Sequence, residues 1–194
     1  MWPNCTLKDK ARHEAGHAVA RIRLGVPFTE VLAANDSFKV VTGRPHPDFL
    51  TTNFSTPNSM DDARRVAWSQ EARALIESWM VAAASGPVAQ MHFEGRGLPV
   101  DVDRFYLFGG TDDAALMRAY AMGVAASQGG SDNAVFERTL QILSRVVLEA
   151  GRLVEENADW IQRVADALVV RGRLTEAEVQ LLAGPTELAR GSSV

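Results

Sequence analysis

The sequence HEAGH at residues 13 to 17 constrains the fold of this chain more than any other feature. Side chains four positions apart lie on one face of an α-helix, so His13 and His17 can reach the same cation if this stretch is helical. Zinc binds imidazole nitrogen at about 2.0 to 2.1 Å, and a catalytic zinc site has three protein ligands and one open position. Glu14 projects about 100° around the helix from His13, which suits a base for water beside the ion. We therefore predict a helix that supplies two zinc ligands.

The flanking residues also predict a helix. Thr6 and Asp9 have the spacing of a capping box, and Gly25 with Pro27 forms a stop signal after Leu24. An ordinary amphipathic helix with two surface histidines is the alternative, but histidine, glutamate and histidine in register favour zinc. An apolar stripe is expected to face the core on the side roughly opposite the two histidines, formed by Leu7, Ala11, Ala15, Ala18 and Ile22.

Size, charge and cysteine content exclude several classes of protein. The chain has 194 residues, enough for one medium domain, and its net charge of -4 argues against a dedicated nucleic-acid binder. Cys5 is the only cysteine, which excludes an intrachain disulfide and a thiolate-rich zinc site. The longest uncharged run, residues 78 to 93, is shorter than the roughly 20 residues of a membrane span, and no phosphate-binding loop motif occurs. We expect a cytoplasmic protein without a signal peptide.

Hydrophobic periodicity and turn residues predict a mostly helical chain with a small hairpin. Strands are expected at residues 28–33 and 38–41, and an irregular loop at 43–58. A second helix should begin near Ser59 and be broken or kinked at Gly86-Pro87, with a shorter helix following through Met91. Further helices are predicted at residues 112–127, 132–156, 158–171 and 176–183, and a disordered tail after Gly184.

Two acidic residues stand at the start of the helix predicted after Gly110. Asp112 and Asp113 fall in its first turn, where the helix dipole favours an ionised carboxylate that could bind a metal. Acidic residues are also common there simply because they stabilise the helix terminus. From position alone both interpretations stay open.

Three segments taken together resemble the peptidase domain of the FtsH-type AAA zinc proteases. They are HEAGHAVA at residues 13–20, Gly86-Pro87-Val88-Ala89, and the turn from Gly109 to Asp113; the closing segment 163–182 is similar as well. In that family the first motif lies on a metal-binding helix, and the last motif supplies an aspartate as third zinc ligand. The resemblance extends over most of the chain.

Position by position, the resemblance implies that His13, His17 and Asp113 bind Zn²⁺ and that Glu14 is the catalytic base. Asp112 stays a second candidate, because it stands where the family commonly has asparagine. Pro87 stands where the family often has arginine, and Gln90-Met91 replace a pair of glutamates. The sequence contains neither the transmembrane segment nor the ATPase module of that family.

We therefore expect an α+β, predominantly helical, zincin-like peptidase domain spanning residues 1–194. Its metal-site portion would be 1–128, its C-terminal helical bundle 129–184 and its tail 185–194. The expected function is zinc-dependent hydrolysis of peptide bonds in peptides or unfolded proteins. The alternatives are a catalytically silent zinc-binding regulator or adaptor, and a peptidase subunit that needs a separate ATPase partner. No nucleic-acid partner is expected, and assembly into a homo-oligomer is left open.

Overall fold

The computed structural model describes residues 6–34, 37–41, 70–97 and 111–184, without the side chains of 70–72, 111–113 and 116. These residues are predominantly helical and include one small antiparallel sheet, so the α+β prediction is confirmed at that level. The elements in chain order are α1 (Leu7–Arg23), β1 (Glu30–Ala34), β2 (Ser37–Val41), α2 (Gln70–Phe93), α3 (Thr111–Ala126), α4 (Asp132–Glu156), α5 (Ala158–Arg171), β3 (Arg173–Thr175) and α6 (Glu176–Leu181).

Helix α1 begins and ends where the sequence predicts. The backbone N–H of Asp9 donates to Thr6 Oγ1 at 3.2 Å, and the backbone N–H of Thr6 donates to Asp9 Oδ2 at 3.0 Å, which completes the capping box. At the other end Leu24 caps the helix and Gly25 adopts a φ of 66°. Left-handed backbone of this kind is readily adopted by glycine and terminates many helices.

Helix α1 lies at the centre of the described fold. It packs against α2 and α5, while α4 packs against α2 and α3. The predicted core stripe of α1 is confirmed at its middle, where Ala11, Ala15 and Ala18 are fully buried, but Leu7 at its start is 44% exposed. The largest fully buried side chains of the core are Trp160, Ile76, Met80, Met117, Leu143, Ile161, Leu168 and Leu174.

Helix α2 continues without interruption through Gly86-Pro87, so the predicted break and the separate shorter helix after it are wrong, while the alternative of a kink stays a prediction. Proline has no N–H, and the carbonyl of Ala83 therefore lacks the intrahelical hydrogen bond that it would normally accept from residue 87. Residues on both sides of the proline are buried against the rest of the protein, including Ala84 and Val88. Tertiary packing thus holds the helix across a residue that disfavours it.

Within the described ranges the sheet has three strands in the order β2-β1-β3. The predicted hairpin is confirmed, with Glu30 opposite Val41 and Ala34 opposite Ser37 in an antiparallel register. The third strand was not predicted: β3 pairs antiparallel with the other edge of β1 and places Thr175 opposite Glu30. Besides its three helices and their connections, the segment 129–184 therefore contains a short strand, which returns the chain to the N-terminal sheet.

Some predictions fall outside the described residues. These are the loop at 43–58, the start of the second helix near Ser59, the connection at 101–110, the tail after Gly184, and the turn at Asn35-Asp36. Within the described ranges, no helix combines the length and the apolar character that crossing a lipid bilayer requires.

Candidate metal centre

Helices α1 and α2 approach each other closely at Gly16. A Cβ atom built on Gly16 would lie 2.5 Å from the carbonyl oxygen of Ser85 and 2.6 Å from the Cβ of Ala89. Both distances are shorter than any real contact, and one of the atoms belongs to the backbone, so no larger residue fits without moving a helix. Gly16, the fourth residue of the HExxH segment, therefore sets the distance between the two helices.

Two arginine–aromatic contacts fix the relative direction of these helices. The guanidinium of Arg12 lies 4.8 Å from the ring centroid of Phe93, and that of Arg21 lies 4.5 Å from the ring centroid of Trp79. The start of α1 therefore lies beside the end of α2, and the two helices pack antiparallel. The antiparallel register determines which α2 residue lies next to each histidine.

His17 is the more deeply placed histidine, only 8% exposed. Its Nδ1 lies 2.8 Å from the backbone carbonyl oxygen of Ala82. A carbonyl can only accept, so Nδ1 carries the hydrogen and, in the neutral ring, the lone pair is on Nε2. A Cβ built on Gly86 would lie 2.2 Å from His17 Nε2, so the imidazole occupies space that every other residue at position 86 would fill.

The two histidines meet through the nitrogen atoms that a metal would use. His13 Nε2 lies 3.0 Å from His17 Nε2, with the ring planes at 79° to each other. Two nitrogens bound to one tetrahedral zinc at about 2.0 to 2.1 Å would be about 3.3 Å apart, so this spacing is close to what a shared ion requires. The same distance permits a hydrogen bond in which His13 is the donor. The donor pair fits zinc in type, spacing and orientation.

Glu14 is buried beside the histidine pair. It is 6% exposed, although a glutamate in the middle of a helix is usually solvated. The prediction that one face of α1 packs in the core while the other carries the metal is therefore too simple, because the histidine face is itself covered by α2. A carboxylate in such a place has little access to bulk water.

The third predicted ligand lies on another helix. Asp113 and its neighbour Asp112 belong to the first turn of α3, which packs against α2, but their side chains are outside the described residues. Among the side chains that the structure does describe, no three of the histidine, cysteine, aspartate and glutamate types gather closely enough to hold a metal ion. The structure thus brings His13 and His17 together, and the assignment of Asp113 stays a prediction.

Two contributors to this site were missed by the sequence analysis, the carbonyl of Ala82 and the missing side chain of Gly86. A glycine followed by proline inside a helical pattern was interpreted only as a helix break, although a helical glycine also permits close approach of another element. No pattern in a single sequence identifies the carbonyl, since its role depends on the register between α1 and α2.

Comparison with models of known protein families gives no match, and comparison with curated proteins gives none either. The interpretation of the site therefore rests on its own geometry and on the motifs.

Proposed function

We propose that this chain is a zinc-dependent metalloendopeptidase, similar to the FtsH-type peptidases and zincin-like in its site. The observation that carries the proposal is the placement of two histidine Nε2 atoms 3.0 Å apart, with the tautomer of His17 set by the carbonyl of Ala82. If His17 only filled space in the core, nothing would require Nε2 of His13 to face the lone pair on its Nε2.

His13, His17 and Asp113 would hold the ion. When bound, zinc polarises a peptide carbonyl and lowers the pKa of a coordinated water to about 7. Glu14 takes the proton from the attacking water as its oxygen adds to the carbonyl carbon. As the C–N bond breaks, Glu14 returns that proton to the leaving amine. The second proton of the water then passes from the new carboxylic acid to the amine, so the products are a carboxylate and an ammonium group. Burial of Glu14 suits this role, because a shielded carboxylate exchanges its proton with the substrate rather than with bulk water.

The sheet offers a way to hold a substrate in extended form. The outer edge of β2 has no partner strand within the described residues, and an extended peptide can add to such an edge through backbone hydrogen bonds. Peptides and unfolded segments suit this mode, because folded proteins do not present free backbone.

The test is zinc analysis combined with cleavage of unfolded casein. Wild-type protein should bind about one zinc per chain, and chelation should abolish cleavage. Glu14→Gln should retain zinc but lose cleavage by a factor on the order of 10² to 10⁴, the usual contribution of a general base. Glu77→Gln is the matched control, since Glu77 pairs with Arg145 on α4 at 2.7 Å and should leave cleavage intact. Zinc binding with no cleavage by any of these proteins would favour the silent zinc-binding regulator.

The third ligand is tested by two neighbouring substitutions. Asp113→Ala should abolish tight zinc binding, and Asp112→Ala should retain it. The reverse result would assign the ligand to Asp112. Cleavage that appears only when an ATPase is added would favour the subunit alternative.

A further inference from the structure

A cavity of about 370 Å³ lies between α2, α3 and α4, and the mechanism above makes no use of it. Neither histidine of the candidate metal centre lines it. Pockets that bind small molecules typically measure about 300 to 1,000 Å³, so this cavity can hold a small organic molecule. Its contents can be inferred from the chemistry of its walls.

The floor of the cavity is apolar and its rim is polar. Val124 of α3 is 3% exposed and Ile142 of α4 is 8% exposed, and both belong to the hydrophobic core. The amide side chains of Gln128 and Gln141 line the opening, and both residues are exposed. Small-molecule sites commonly combine apolar surface with a few polar groups that fix the orientation of the ligand.

Arg138 stands in the wall of the cavity, and its guanidinium is held by neutral oxygen atoms. Its Nε donates to the carbonyl oxygen of Ala134 at 3.1 Å, its Nη2 donates to the carbonyl oxygen of Gly129, and its Nη1 lies 3.5 Å from Gln128 Oε1. A guanidinium has five N–H donors, so two of them have no acceptor among the described contacts. No carboxylate is among those contacts either. The positive charge of Arg138 is therefore fixed in place and not neutralised by a described neighbour.

The second arginine of the cavity, by contrast, is neutralised. Arg145 lies about 10 Å further along α4, and its Nη2 is 2.7 Å from Oε1 of Glu77 on α2. This ion pair closes that end of the cavity. Because its two charges cancel, the lining residues carry a formal charge of one positive unit, which is that of Arg138. A ligand with a single negative charge matches this wall, whereas a second negative charge would meet no unpaired cation among the lining residues.

We infer that this cavity binds a small monocarboxylate with an apolar chain. The carboxylate accepts hydrogen bonds from the two remaining N–H groups of Arg138, since guanidinium and carboxylate are complementary in charge and planar geometry. The chain lies on Val124 and Ile142, and the amides of Gln128 and Gln141 flank the opening. This site is additional to the proposed zinc site and does not depend on it.

The test is a titration of the full chain with hexanoate, followed by ¹H–¹⁵N NMR. Zinc is left out, so that no carboxylate can bind through the metal. Hexanoate should shift the side-chain signals of Arg138, Gln128 and Gln141 in a saturable way. Each methylene group that reaches the floor should tighten binding by up to about fourfold, so acetate should bind more weakly. Hexan-1-ol, which has the same chain and no charge, should bind about 10-fold or more weakly than hexanoate.

Substitutions locate the binding site. Arg138→Met should weaken hexanoate binding by about 10- to 100-fold, the usual effect of losing hydrogen bonds to a charged group. Arg152→Met is the matched control, because Arg152 is an exposed arginine of the same helix that does not line the cavity. Arg138 also holds the turn before α4, so a second variant is needed in case Arg138→Met does not fold. Gln141→Trp changes an exposed residue, and its indole should cover the opening and block binding.

Three results would overturn this inference. Hexanoate affinity in folded Arg138→Met or in Gln141→Trp equal to that of wild type would place the carboxylate elsewhere. Hexan-1-ol binding as tightly as hexanoate would exclude the role of the charge. Acetate binding as tightly as hexanoate would exclude the role of the apolar floor. Because the titration contains no zinc, its outcome is independent of whether the proposed peptidase function holds.

Discussion

At the scale of the residue, the geometry of the proposed metal site depends on a glycine, Gly86, that has no side chain. The imidazole of His17 lies against Gly86, with Nε2 only 2.2 Å from where a Cβ would be. Ala82, one turn earlier on the same helix, holds Nδ1 of that ring at 2.8 Å. The position of His17, a proposed ligand, is thus determined by a backbone carbonyl of α2 and by the space that Gly86 leaves open.

We predict that Gly86→Ala disrupts zinc binding. The added methyl group would overlap the His17 ring, and overpacking of a close-packed interior costs about 1 to 3 kcal/mol. Zinc stoichiometry and urea unfolding measure the two effects. Gly97→Ala is the control, because a Cβ at that position meets nothing within 4 Å. A Gly86→Ala protein with wild-type zinc affinity would contradict the placement of His17.

The histidine pair could be predicted from the sequence because its geometry is local. The spacing of His13 and His17 along one helix determines that they share a face, and the structure places their Nε2 atoms 3.0 Å apart. The groups of α2 that orient His17 could not be predicted, since they lie about 70 residues further along the chain and depend on how α1 and α2 pack.

At the scale of the element, short-range sequence signals were sufficient to predict where α4 and α5 begin and end, but not which strands pair with each other. Both ends of α4 and α5 lie where the sequence predicts, because caps and glycines act within a few residues. Strand β3 was not predicted, because three residues are too few to show the alternation of apolar and polar side chains that indicates a strand. Its partner β1 also lies far away in the sequence. The uninterrupted course of α2 through Pro87 shows packing overriding local preference.

The cap of α6 predicts a dependence of stability on pH. Hydrogen bonds from the backbone N–H and hydroxyl of Thr175, together with the Arg171 guanidinium, lower the pKa of Glu178 from 4.5 to about 2. The folded protein therefore favours the ionised carboxylate. This contribution to stability is complete above the ordinary pKa of 4.5 and is lost as the pH falls towards about 2.

Urea unfolding of wild type and Glu178→Gln between pH 6 and about pH 2.5 measures this contribution. The difference in unfolding free energy between the two proteins should shrink as the pH falls. Glu176→Gln is the control, since the Glu176 side chain bonds only to the exposed Gln180 amide among the described contacts. A difference that stays constant over this range would contradict the assignment of the cap to Glu178.

At the scale of the whole molecule, the helix that carries the proposed ligands is also the centre of the core. Helix α1 contacts α2, α5 and the sheet, and its buried alanines allow those neighbours to approach. Such a core does not depend on a metal to hold it together, unlike a small zinc domain that unfolds without its ion. Metal binding should therefore add to a fold that already exists.

We predict that zinc raises the thermal unfolding midpoint without changing helical content. An ion that binds only the native state adds about 2.7 kcal/mol when its free concentration is roughly a hundred times Kd. His13→Gln should remove most of this shift. His92→Gln is the matched control, because His92 is an exposed histidine on α2 outside the site. An equal shift in His13→Gln and wild type would place the zinc elsewhere.

The position of β3 has a consequence for how this protein is made. Strand β1 is covered on one side by β2, which is synthesised almost immediately, and on the other by residues 173–175, which leave the ribosome about 140 residues later. Until then the N–H and C=O groups along that side of β1 are open to pairing with another chain. A chain truncated before Arg173 would leave this edge of β1 permanently exposed, and we expect such truncated chains to aggregate.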